Sequence, residues 1–211
     1  NKIYKKTIKY FFIILLKRGP LFFFTYFKES LFFDLKRRTD TSLRVEKKNQ
    51  ITQNKSKKDG LLYVASFSSV IKKTLNICEN LVKKESFNNY QYLDLGCGKG
   101  KSIIYYLENY GGKAKYQPVG IEYDENLITT AKKNILGTCA YKSNNVKLVF
   151  DSATNFEKYI KSNNLIIYLY NSFQGETLDY VFKKLKKYNH IFIYVDPVEK
   201  YNLVLLAWNP K

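Results

Sequence analysis

The 211-residue chain carries 36 lysines and arginines against 18 acidic residues, a formal charge of +18, and is 45% hydrophobic. That apolar content suffices for one compact domain with an attached segment. The charge favours a polyanionic partner without identifying one, and a chain this rich in lysine, asparagine and tyrosine is also what an AT-rich coding sequence produces.

At the N-terminus two aromatic-rich apolar runs, 10–16 and 21–27, flank Lys17-Arg18-Gly19-Pro20. Neither approaches the roughly 20 apolar residues of a spanning helix, and no small-residue cleavage site follows to make a secretory signal. Two readings stay open: a segment lying on a membrane with Lys5, Lys6, Lys9 and Lys17 at the headgroups, or helices packed on the rest of the chain or on a partner. A peripheral membrane or protein contact is therefore assigned to residues 1–34. From Leu35 to Gly60 the sequence turns polar, as expected of a linker or lid, so residues 1–60 are read as an attached segment and 61–211 as the main domain.

Ser68 or Ser69 is placed to cap a helix whose Ile71, Leu75, Cys78 and Val82 recur at helical spacing and which ends near Lys83 and Lys84. Strand-like and helix-like segments then alternate: strand 90–95, helix 101–109, strand 118–123, helix 125–136, strand 146–150, short helix 155–161, strand 165–170, helix 176–187 and strand 191–195. Residues 203–207 suggest one more strand before the chain stops, which implies a sheet shorter than in complete relatives. Such alternation predicts an α/β, Rossmann-like fold, a mostly parallel sheet with helices on both faces. The three cysteines, Cys78, Cys97 and Cys139, lack CxxC spacing and indicate neither disulfides nor zinc, which suits a reducing, cytoplasmic compartment. The single His190, just before an apolar run, reads as structural, which removes histidine triads and histidine metal sites.

Chemistry concentrates at Leu93-Asp94-Leu95-Gly96-Cys97-Gly98-Lys99-Gly100. Glycines between a strand and a helix let backbone approach a ligand and aim the helix N-terminus at it. The spacing Gly96-x-Gly98-x-Gly100 is shorter than the dinucleotide GxGxxG, and suits a nucleoside with an amino-acid tail whose ammonium Asp94 can engage. Glu122, at the end of the next strand beside Tyr123, is placed to accept ribose hydroxyls. Asp151, with Ser152 and Ala153 at the third strand end, is placed to meet an adenine amine.

These three elements in order resemble the S-adenosylmethionine (SAM)-binding motifs of class I methyltransferases over roughly residues 60–200. More narrowly the chain resembles a bacterial group with four motifs, here Phe33 to Thr41, Tyr63-Val64-Ala65-Ser66, Gly96 to Gly100, and Tyr170-Asn171-Ser172-Phe173, where Ser172 replaces a proline. The resemblance implies SAM as cofactor, with Tyr63 among its contacts, no metal, and transfer of a methyl group to an acceptor: protein, small molecule or RNA. Asn171, at the end of the fourth strand, would accept a hydrogen bond from an amine, and Tyr170 and Phe173 would line the channel, their faces tolerating a sulfonium; a turn-capping role for Asn171 stays open. With no strong base in view, nitrogen is the expected acceptor atom, a protein lysine for example. Against this stands a binding module that keeps the fold, has lost catalysis, and docks a partner through its basic surface or N-terminal segment.

Overall fold

A computed structural model describes residues 15–16, 19–43, 45, 59–138, 146–196 and 207–209. Five parallel strands, β1 (Gln91–Leu95), β2 (Val119–Glu122), β3 (Lys147–Phe150), β4 (Asn164–Tyr170) and β5 (Asn189–Val195), form the sheet. The short β6 (Ala207–Asn209) joins antiparallel, in the order β3-β2-β1-β4-β5-β6. The chain reverses its direction of travel across the sheet between β1 and β4, which opens a crevice at the carboxyl ends of those strands.

Strand side chains alternate between two cores. Tyr92, Ile166, Tyr168, Ile191 and Ile193 face α2 (Ser68–Leu81), α4 (Lys101–Asn109) and α5 (Glu125–Leu136). Leu93, Ile167, Leu169 and Phe192 face a 3-10 helix (Ala153–Tyr159) and α6 (Gly175–Leu185). The expected α/β architecture with helices on both faces is thus observed. On the first face the rings of Tyr92 and Tyr106 stack at 4.4 Å, so tyrosines fill volume that aliphatic side chains usually fill.

Several local expectations are revised. Neither Ser68 nor Ser69 caps α2 with its hydroxyl. The Ser69 N–H instead donates to the Glu29 carboxylate at 2.8 Å, and the Ser68 hydroxyl to the Glu29 carbonyl at 3.1 Å; a full negative charge answers the helix N-terminus better than a hydroxyl. The helix stops at Leu81, and Lys83 takes a φ of 63°, turning the chain into a short α3 (Lys84–Phe87) that buries Phe87. The last strand overlaps the expected one only at Ala207; residues 203–206, like Cys139, lie outside the described residues. His190 is buried and donates through Nδ1 to the Tyr188 carbonyl at 2.9 Å, a structural contact.

Ahead of the sheet, residues 19–26 are helical and continue through a π-helical turn (Phe27–Leu31) into α1 (Phe32–Arg37). Of the segment read as linker or lid, residues 35–37 end α1 and 38–43 wrap around Asp34. Its buried carboxylate accepts from the Thr39 and Thr41 hydroxyls and from the Thr41 and Ser42 N–H groups. Arg37 reaches Glu108 on α4 through paired contacts at 2.7 and 2.6 Å.

Candidate functional site

The turn after β1 depends on its glycines. Gly96, Gly98 and Gly100 have φ of 81°, 53° and 84°, a region side chains rarely adopt. Both Gly96 and Cys97 N–H groups donate to the Ile121 carbonyl on β2, at 2.8 and 3.0 Å. A Cβ on Gly96 would collide with Ser172 and one on Gly98 with the Tyr63 ring. Gly100 faces elsewhere: it opens α4 and packs on Ala131 of α5.

Two buried carboxylates stand beside this turn. Asp94 accepts a hydrogen bond from Ser102 on α4. Burial pushes its pKa up to about 7, the Ser102 bond opposing and nearby Glu122 adding. Glu122 accepts three backbone N–H groups, from Gly98 at 2.8 Å, Tyr123 at 2.9 Å and Asp124 at 3.0 Å. Burial outweighs them and lifts its pKa to about 7 as well. Among the described residues neither carboxylate has a cationic partner: buried Lys99 pairs with Asp40 at 3.0 Å, and buried Lys101 donates to the Glu29 carbonyl at 2.7 Å.

Tyr63, Asp94, Gly96, Glu122, Tyr123, Tyr170 and Asn171 all line one cleft at these strand ends. Its free space is about 50 Å³. A strap, residues 59–66, covers it. Leu61 N–H donates to the Ser172 carbonyl, Gln174 N–H to the Asp59 carbonyl, and the Thr177 N–H and hydroxyl to the Asp59 carboxylate. Farther along, the Ser66 and Tyr168 hydroxyls meet at 2.7 Å, and Tyr63 donates to the Thr41 carbonyl at 2.6 Å. Asn171 adopts a φ of 40°, a left-handed conformation that asparagine tolerates.

Asp151, Ser152, Ala153 and Phe173 line a second, smaller cavity with Gly96 and Tyr123. Phe173, expected beside Asn171, is instead buried in the core against α6. Asp151 is differently placed from the other two carboxylates. Burial works against its charge, but the Tyr159 hydroxyl at 2.5 Å, Asn155 and the Ser152 N–H at 2.7 Å each, and Lys158 at 3.8 Å together hold its pKa below the ordinary range.

Ser66, Cys97, Lys101, Ser102, Leu127 and Tyr168 also line the main cleft, and the sequence reading missed their part in it. Ser102 and Tyr168 carried a signal: each is a hydroxyl on the buried face of an otherwise apolar element, and so needs a polar partner. The strap contacts carried none, since Asp59 and Thr177 lie 118 residues apart.

No protein-family model and no curated protein matches the chain. Among solved structures it is similar to an rRNA methylase from Streptococcus thermophilus, 11% identical over 63% of this chain and 75% of that one, with a TM-score of 0.43. It is similar also to an RNA methyltransferase from Salinibacter ruber in complex with S-adenosyl-L-homocysteine, 20% identical over 51% and 60%, with a TM-score of 0.37. A third is an S-adenosylmethionine-dependent methyltransferase from Clostridium acetobutylicum, 15% identical over 59% and 49%, with a TM-score of 0.43.

Proposed function

We propose that the chain is a SAM-dependent methyltransferase acting on a nitrogen acceptor, with residues 61–211 holding the cofactor and 1–60 as an attached segment. One observation carries the reading: two buried carboxylates, Asp94 and Glu122, with no cationic partner among the described residues, flank a glycine turn at the strand ends where the sheet reverses its order. A buried carboxylate is costly unless paired, and a ligand bearing both an ammonium and a sulfonium would relieve the cost. The donor set fits such a ligand. Asp94 would accept from the ammonium. Glu122 has already used three of its about four acceptor positions on backbone N–H groups, which leaves about one ribose hydroxyl rather than two. Ser152, Ala153 and Asp151 would border the adenine, and Tyr123 would lie between the two cavities.

When bound, SAM supplies a methyl carbon on a positively charged sulfur, which an amine displaces in line while the sulfur keeps the bonding electron pair. The chain's task is alignment and exclusion of water, and alignment contributes on the order of 7–11 kcal/mol. Asn171, its backbone fixed in the left-handed turn, would accept a hydrogen bond from the incoming amine and hold its lone pair towards the methyl. Tyr170 would shield that side of the cleft. The strap residues Leu61 to Ser66 line the same cleft and would lie against the bound ligand. The acceptor is proposed to be an amine such as a protein lysine; RNA and small molecules are the other classes to test.

The strap hydrogen-bonded across the cleft through Leu61 and Asp59 favours a second reading, a non-catalytic binding module that keeps the fold. Incubating the protein with radiolabelled SAM and fractionated lysate separates the two and sorts the acceptor. Label in protein, resistant to nuclease and lost in the Asn171→Ala variant, supports the proposal. Folded protein that binds SAM but labels no fraction supports the binding module.

A further inference from the structure

We propose that the outward face of residues 19–37 docks on an anionic lipid surface. Of the eleven large hydrophobic side chains left exposed among the described residues, seven fall between Leu16 and Leu35, so they form a patch and not a scatter. Leu21, Phe24, Phe32 and Leu35 are 82%, 65%, 56% and 60% exposed. The opposite side of the same segment is the one that packs. Tyr26 donates to the Ser42 carbonyl at 3.1 Å and meets the Phe67 ring, Glu29 caps α2, and Phe33 enters the core. Leu21, Phe24, Phe32 and Leu35 thus stay exposed while the segment packs on its own domain through those contacts.

Charge is sorted in the same way. Both acidic residues of 19–37 turn inward, Glu29 to the start of α2 and Asp34 into its loop. Arg37 is held by Glu108 at 2.6 Å. Exposed charge on the outward face is then only Lys28 and Lys36, and the 18 residues before it add six basic and no acidic side chains. A face of leucine and phenylalanine whose own exposed charges are lysines, with the neighbouring carboxylates Glu108 and Asp40 each paired to a cation, is complementary to the acyl boundary beneath anionic headgroups. A protein partner or a second copy needs no such exclusion of acidic side chains. No helix among the described residues is long and apolar enough to cross a membrane, so the contact is one of lying on the surface. The packed side grips Phe67 and Ser69, immediately after the strap residues lining the cleft. A docked segment thus brings the cleft near the lipid, whether or not the cleft transfers methyl groups.

The test is flotation of the full chain with vesicles of phosphatidylcholine alone and of phosphatidylcholine mixed with phosphatidylglycerol. The proposal expects flotation with the anionic vesicles only. Phe24→Ser with Phe32→Ser should reduce it about tenfold or more, and Lys28→Glu with Lys36→Glu by at least about fivefold per position. All four side chains are exposed, and circular dichroism checks the fold; should the serine variant unfold, the lysine variant still decides. No flotation of the wild type, or equal flotation with both vesicles, overturns the proposal. So does a dimer abolished by Phe24→Ser in a protein that never floats, which assigns the face to a second copy.

Discussion

Asp94, Glu122 and Asp151, at the ends of β1, β2 and β3 in turn, are strand-end carboxylates of the same sequence type, yet their surroundings differ in kind. Asp94 and Glu122 lie in the main cleft with pKa values raised to about 7 by burial and no cation among the described residues. Asp151 is partly exposed and surrounded by donors from its own strand end and 3-10 helix, which hold its pKa low. Asp94 is left for an external cation and Glu122 for a hydroxyl of the same ligand, whereas the chain itself satisfies Asp151. A carboxylate at a strand end therefore says where a ligand could sit, and its partners say whether it still has anything to offer.

The largest effect expected from this contrast is at Glu122. Glu122→Ala removes a cleft carboxylate and frees three N–H groups that fix the glycine turn, so SAM affinity by calorimetry should fall by about a hundredfold or more. An affinity within threefold of wild type would show that the pair is structural. Asn171→Ala comes next: methyl transfer should slow by about ten- to a hundredfold, the worth of one hydrogen bond to a polar or charged group, with cofactor affinity within about twofold. Unchanged turnover would leave Asn171 with only its turn.

Asp151→Asn should change SAM affinity by less than about fivefold, because its oxygens already serve Tyr159, Asn155 and Ser152. The cost should appear as about 1 kcal/mol of stability in denaturant unfolding, typical of losing a local cap. A loss of affinity as large as that of Glu122→Ala would erase the distinction drawn here. The smallest effect is on pH dependence. A carboxyl whose pKa is raised on folding binds more protons in the native state than in the unfolded state between its ordinary value and about 7. Stability of the ligand-free protein should therefore be highest below that window and fall as the pH rises through 7. Thermal melting across pH 5 to 8 should show this fall, and Asp94→Asn should flatten it; a melting point that rises over the same range contradicts the raised values.

The sheet was readable because its information is local. Alternation in Leu165-Ile166-Ile167-Tyr168 assigns each side chain to a face, and the glycines at 96, 98 and 100 announce a turn whose φ values only glycine tolerates easily. What escaped the sequence is what joins distant residues. The cap on α2 comes from Glu29, 40 residues away, and the cover over the cleft is held by Asp59 on Thr177 and by Tyr63 on Thr41. Polar stretches such as 35–43 read as linker when their hydrogen-bond partners are out of sight; residues 35–37 end α1, and with Asp34 at the centre residues 38–43 are a packed loop. Phe173 lies at the adjoining cavity for a related reason: a residue two past Asn171 need not share its cavity once the chain turns at a φ of 40°.

Calorimetric titration of SAM into the wild-type protein and into Asp94→Asn at pH 8 bears on the central claim most directly. Asp94→Asn keeps the size of the side chain and removes only its charge. Saturable one-site binding by the wild type, weakened about a hundredfold in the variant while the variant stays folded, is the predicted result. No binding by the folded wild type, or equal affinity in the two proteins, would contradict the claim that buried Asp94 is the cation-binding group of this cleft.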